Sequence, residues 1–354
     1  MILGLAQEQL KPDSSIKKHL SYCTGCGACE AMCPSRVPFM LLMDNSKHCL
    51  SQKSLVLRTL LFLVRHPGRY SILSKLLRNQ TLGSLLRLSG LLRKETKDLQ
   101  QSIKDTPNTQ QLASLYPAKG QVQGDIGLFT GCITRLFDQN TLIDSIRLLT
   151  HCGYNVHVSR QQACCGAMHQ HNGDIKTAEL LIQQNQNIFE TKTLDAVITT
   201  ATGCGAQLTA KLNNIAIYDI MQFIREKQLL QQLSLQPLSA NALVHEPCSQ
   251  RNQLKLPSIN SIMEQIPDLK LNNLSENHFC CGAGGINMLT VTESANQLRQ
   301  NKIDHMQSAS PDMVITTNYG CALHLASGAN HLSQNKQIEF CHPVSLLVRS
   351  ASLQ

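Results

Sequence analysis

From residue 124 onward, short apolar runs rich in Val, Ile and Leu alternate with longer stretches whose apolar residues recur at helical spacing. The pattern predicts strands at 125–130, 154–159 and 196–200 with helices at 140–150 and 175–189, then strands at 242–245, 270–274 and 313–317 with helices at 258–265 and 293–306. Strands that alternate with helices build parallel sheets with right-handed crossovers. The expected fold class is therefore α/β, with two parallel lobes at 124–236 and 237–354. Upstream, 47–97 is leucine-rich at helical intervals, broken at Pro67-Gly68 and Gly83, and predicts two or three short amphipathic helices. The polar stretch 98–123, with Pro107 and Pro117, reads as a linker. Residues 1–46 form a small helical, ferredoxin-like segment around a dense cysteine run.

Cysteine changes this picture most. The 354 residues include 15 cysteines, no tryptophan and 4% aromatic residues, so the rings that stack on single-stranded nucleic acid are scarce. A chain of this length does not need a disulfide scaffold, and so many thiols read as metal or redox ligands in a reducing compartment. No apolar run approaches the roughly 20 residues that span a bilayer, and residues 1–15 lack a secretory pattern. The expectation is a cytoplasmic chain. Its formal charge of +8 would be offset by about 6 if three thiolate-ligated four-iron clusters were bound, so a nucleic-acid partner is not expected. Lys47, Lys53, Arg58, Arg65, Arg69, Lys75, Arg78, Arg87, Arg93 and Lys94 leave 47–97 strongly basic. Either its helices pack on the protein with solvated basic faces, or they dock peripherally on an acidic partner or the inner face of a membrane.

Cys23, Cys26, Cys29 and Cys33, followed by Pro34, have the C-x2-C-x2-C-x3-C-P spacing of a ferredoxin [4Fe-4S] ligand run. In two-cluster ferredoxins the last cysteine of such a run serves the other cluster, so either Cys33 closes its own cluster or Cys49 or another chain supplies the fourth thiolate. The remaining cysteines reveal a duplication. Cys132 to Cys164 and Cys248 to Cys280 are both 32 residues apart; Cys165 to Cys204 spans 39 and Cys281 to Cys321 spans 40. Each lies just past a predicted strand, so the four thiols of a lobe should converge at the carboxyl rim of its sheet. Gly166, Gly282 and Gly284 follow the vicinal pairs, where their backbone amides can approach sulfur and stabilise negative charge. A further Fe-S cluster or a zinc ion suits either quartet. No flavin or nicotinamide fingerprint is evident.

At these residues the chain resembles proteins with duplicated cysteine-rich CCG domains, found in heterodisulfide reductases and in the iron-sulfur subunits of glycolate and lactate dehydrogenases. The similarity to the glycolate oxidase iron-sulfur subunit family runs from about Ile16 to the end. It implies electron transfer: a flavin-containing dehydrogenase subunit oxidises a 2-hydroxy acid such as glycolate, and electrons leave through clusters on this chain to a quinone or another acceptor. The alternatives are a lactate dehydrogenase-type subunit, a heterodisulfide-reductase-like thiol/disulfide enzyme, and a degenerate zinc-holding module. The family has an earlier ferredoxin run, so the chain is expected to be shortened at its N-terminus. The Cys-x-x-Cys of heterodisulfide reductase, which adds a fifth thiolate, is replaced here: Gln207 stands three residues after Cys204, and His324 three residues after Cys321. His324 either ligates a metal or packs beside the site.

Overall fold

The computed structural model describes residues 2–50, 55–88, 96–104, 110–332 and 337–353. It is mixed α/β, with a helical N-terminal region and two sheets. The strands are β1 (Leu115–Tyr116), β2 (Gly124–Phe129), β3 (Tyr154–His157), β4 (Ala196–Thr199), β5 (Ile217–Asp219), β6 (Ala240–His245), β7 (Leu269–Asn273), β8 (Met313–Thr316) and β9 (Glu339–Cys341). The first sheet has the order β1-β3-β2-β4-β5, parallel except for β1, and the second has the order β7-β6-β8-β9. Without β1 the two orders are identical. The central pairs also share a register: Ile126 faces Ala196 and Phe129 faces Thr199, as Ala242 faces Met313 and His245 faces Thr316. β4 and β8 are buried on both faces, which accounts for their unbroken β-branched runs.

Helices cover both sheets, and the two lobes share one core. Ile126, Leu148 and Ile198 pack in the same apolar cluster as Val244, Met263 and Leu347, with the helix Gln139–His151 lying against Pro343–Ser350. A second cluster joins the helices Leu55–Val64 and Tyr70–Arg78 to the first lobe through Leu63, Val64 and Tyr70. These helices bury an apolar stripe and leave Arg58 and Arg65 exposed. Lys53, Arg93 and Lys94 lie outside the described residues. No helix among the described residues is long and apolar enough to cross a membrane.

Two local expectations fail. Gly83 does not break a helix but sits inside Gln80–Leu88, where a side chain would collide with Gln100 of the neighbouring helix. Glycine there permits close helix approach. The stretch expected as a linker carries the helix Thr96–Lys104 and strand β1. Leu99 and Ile103, four residues apart, are buried in the second cluster, so two apolar residues dock an otherwise polar helix. Pro107, in the same stretch, lies outside the described residues.

Candidate metal centre

Each lobe gathers its four cysteines beyond the carboxyl ends of three adjacent parallel strands. Cys132 follows β2, Cys164 and Cys165 follow β3, and Cys204 lies in the first turn of the helix Thr202–Lys211 after β4. Cys248, Cys280, Cys281 and Cys321 repeat this around β6, β7 and the helix Tyr319–Ala329 after β8. Side chains touch in the order Cys132, Cys164, Cys165, Cys204 in one lobe and Cys248, Cys280, Cys281, Cys321 in the other. The Sγ atoms of Cys132 and Cys164 are 3.4 Å apart, well beyond the roughly 2.05 Å of a disulfide.

The second member of each quartet most favours the thiolate. Cys164 is held below the usual thiol range by donation from Cys132 and Cys165, assisted by the Gly166 amide and opposed by burial. Cys280 is held down in the same way by Cys248 and Cys281, with the Gly282 amide 3.3 Å from its sulfur and Thr24 as a further donor. At Gly282, φ is +91° and any Cβ would strike the Ala295 carbonyl, so the loop's approach to the following helix requires glycine. Gly284, φ +47°, packs against Thr24 instead of donating to a cysteine in the described contacts.

The N-terminal run docks on this rim. Asn252 donates to the Cys26 carbonyl at 2.9 Å, Gln253 to the Gly25 carbonyl at 3.0 Å and Lys47 to the Cys23 carbonyl at 3.0 Å. On the first lobe's side, His171 meets Asp44 at 3.2 Å and His48 meets the Gly173 carbonyl at 2.8 Å. Burial raises the Cys26 thiol, as do the nearby Cys280 and Cys23. Cys29 is exposed and Cys33 half-buried. Cys49 is exposed, two positions past Lys47 on the helix Phe39–Leu50, and thus on the face opposite the Cys23 contact. A cavity of about 210 Å³ is lined by cysteines of both quartets together with Thr24 and Gly25.

Three polar groups at the quartets carry no signal in the sequence pattern. His245, at the end of β6, places a ring nitrogen within 4.8 Å of the Cys281 and Cys321 sulfurs. Lys302 is 1% exposed and donates to the Ser275 and Glu276 carbonyls at 3.3 and 2.7 Å; burial lowers its pKa while Cys281 and Cys280 act to raise it. Tyr70 is buried beside Cys132, Cys164 and Cys165, and its hydroxyl has no hydrogen-bond partner. His324, by contrast, is packed: Nε2 meets the Ala295 carbonyl at 3.1 Å, and burial with the neighbouring Arg299 brings its pKa down to about 4.

Four contacting thiols with no carboxylate among them form a soft donor set that suits zinc or iron-sulfur groups. Thiolates about 2.3 Å from one zinc would stand about 3.8 Å apart, close to the observed 3.4 Å, and a larger cluster would need the rim to open. The orphaned Tyr70 hydroxyl and His245 Nε2 beside the quartets are the donors or ligands that such a group would satisfy. Fold and site thus define a protein of two duplicated α/β lobes, each with a thiol quartet suited to a metal group, and a ferredoxin-type segment across their rim.

Residues 126–209 and 242–326 each match the cysteine-rich CCG domain, and residues 16–39 match the 4Fe-4S binding domain. The chain is an iron-sulfur protein carrying two CCG domains. It is 24% identical to the probable glycolate oxidase iron-sulfur subunit of Bacillus subtilis, over 99% of this chain and 86% of that protein. It is 26% identical to the glycolate oxidase iron-sulfur subunit of Escherichia coli, over 88% and 78%. Lactate utilization protein A of Geobacillus thermodenitrificans is 24% identical over 63% of this chain and 98% of its own length.

Proposed function

We propose that this chain is the iron-sulfur electron-transfer subunit of a flavin-dependent 2-hydroxy-acid dehydrogenase, with glycolate oxidised to glyoxylate on a partner subunit. The observation that carries the reading is the convergence of both cysteine quartets and the tip of the ferredoxin run on one cavity. Similarity to the glycolate oxidase iron-sulfur subunits supports the substrate. Bound iron-sulfur groups supply one-electron exchange.

In this reading, Cys23, Cys26, Cys29 and Cys33 hold a [4Fe-4S] cluster, with Cys33 preferred to the outward-facing Cys49 as fourth ligand. Cys132, Cys164, Cys165 and Cys204, and their counterparts Cys248, Cys280, Cys281 and Cys321, hold one group per lobe. The protein's part is to exclude water, supply the thiolates and offset their charge. The Gly166 and Gly282 amides and Lys302 do this at the lobes, and Lys47 does it at the N-terminal run. Exposed Leu55, Phe62, Ile72, Leu85 and Leu88 lie among the basic residues of 47–97, which supports peripheral contact with a partner or the inner membrane face on the way to a quinone.

The test is anaerobic reconstitution followed by iron and acid-labile sulfide analysis, EPR of the reduced protein, and co-expression with a candidate flavin subunit. The expected result is a reducible signal, with glycolate-dependent dye reduction in the complex. Zinc without sulfide would defeat the electron-transfer assignment. Iron-sulfur signals without a copurifying flavin subunit or glycolate turnover would defeat the substrate and partner assignment.

A further inference from the structure

We propose that His245 ligates the second lobe's metal group through Nε2, beside Cys281 and Cys321, so that the two lobes hold non-equivalent groups. This rests on the proposal that the quartets bind metal. Among the described residues, the ligand atoms of His245, Cys281 and Cys321 are the set of three that all lie within 4.8 Å of one another, and all three residues are buried. Nε2 is buried without a hydrogen-bond partner of ordinary geometry, the Cys321 side chain being the group the ring approaches, and a buried polar atom left in this state is destabilising unless something satisfies it.

The backbone sets the tautomer. Asn277 donates from Nδ2 to the Val244 carbonyl at 2.8 Å, and its Oδ1 accepts the Glu246 amide at 3.2 Å. That oxygen is also 3.2 Å from His245 Nδ1, so Nδ1 must carry the proton and donate. A neutral imidazole fixed in this way presents the Nε2 lone pair to Cys281 and Cys321, the arrangement that a carbonyl-type second partner gives a metal-binding histidine.

Among the described residues the first lobe has no equivalent. Phe129 precedes Cys132 by three residues, as His245 precedes Cys248. His169 also has an orphaned Nε2, with Nδ1 2.9 Å from Asp174, but it does not complete a three-ligand set with the first quartet. A nitrogen ligand in place of a thiolate raises the reduction potential of an iron-sulfur centre. His245→Cys, which makes the reverse exchange at this one position, should therefore lower the second lobe's potential.

The test uses the full chain, reconstituted anaerobically with 15N-histidine, as wild type, His245→Phe and His245→Cys. Iron and sulfide content is measured alongside pulsed EPR and a redox titration of each lobe's signal. The expected result is a 15N coupling in the wild type that disappears in both variants, with the second lobe's midpoint potential lowered in His245→Cys. Should His245→Phe lose its iron, His245→Cys still decides, because a thiolate can replace the imidazole. Iron and sulfide without histidine coupling in the wild type, or coupling that survives both substitutions, overturns the ligand assignment alone. A wild type without bound metal overturns this proposal together with the reading beneath it.

Discussion

The two lobes set their cysteines at the same four points of the same strand order, but surround them with different chemistry. The helix after the vicinal cysteines carries Asn185 in the first lobe and Lys302 in the second, each seven residues after the alanine that packs on the loop glycine, Ala178 or Ala295. Asn185 braces the cysteine loop with neutral bonds to the Ala163 amide at 2.9 Å and the Cys164 carbonyl at 3.0 Å. Lys302 braces the matching loop with a buried cation. At the end of the central strand the first lobe has Phe129 and the second His245. Duplication preserved the thiol cage, and divergence changed its charge. In a water-poor interior, that kind of change alters redox properties without altering geometry.

The largest effect should come from breaking one cage at a time. Cys164→Ser should remove the first lobe's group and Cys280→Ser the second's, each leaving the other lobe's metal in place and each reducing glycolate-dependent dye reduction by the complex to background. Metal and sulfide per chain check this. Loss of both groups from either substitution would show that the lobes do not act as separate sites. A smaller effect should appear at the shared core. Leu148→Ala empties a fully buried position common to both lobes and should destabilise the protein by about 3 kcal/mol. One cooperative unfolding transition should move as a unit; two separable transitions would mean that the lobes fold independently. Smaller again is Lys302→Asn, which gives the second lobe the first lobe's residue type. It frees the Ser275 and Glu276 carbonyls at about 1–3 kcal/mol and should lower the potential of the second lobe's group relative to the first, read by redox titration.

Much of this is legible in the sequence because cysteine spacing survives divergence better than surrounding composition. The near-equal separations around Cys132 to Cys204 and Cys248 to Cys321, with each cysteine just past a β-branched run, are enough to anticipate two rims on parallel sheets. His245 reads only as the last residue of a strand, since a lone histidine has no spacing signature. The available signal lies in comparing the copies: an imidazole stands where the first copy has a phenyl ring at a core position. Lys302 is hidden by a one-residue offset between the copies. The helix Thr96–Lys104 escapes notice because two apolar residues in a polar stretch resemble a linker until their docking surface is known. Strands β5 and β9, three residues each, are too short to show a period. The docking of the N-terminal run rests on single pairs such as Asp44 with His171, 127 residues apart, which no local pattern marks.

Per unit of pH, the smallest effect contrasts the two helix caps that end the matching edge strands. Asp219, at the end of β5, accepts the Met221 amide at 2.9 Å, and His342, just after β9, accepts the Val344 amide at 3.1 Å. Both are buried, so both favour the neutral form. Burial raises Asp219 from the ordinary carboxylate range to about 7 and lowers His342 from the ordinary histidine range to about 3. Their pH dependences therefore run in opposite directions. The folded state holds the Asp219 proton that the unfolded chain releases near pH 4, so its contribution is whole below that point and lost as pH rises to about 7. The unfolded chain takes up a proton on His342 near pH 6.5 that the folded state refuses, so its contribution is whole above that point and lost as pH falls toward 3. Each slope is at most about 1.4 kcal/mol per pH unit within its window. Denaturant unfolding from pH 4 to 8 should show Asp219→Asn removing stability loss on the alkaline side and His342→Asn removing it on the acid side. Identical pH profiles for the two variants would mean that the caps are as equivalent as the cysteines they stand behind.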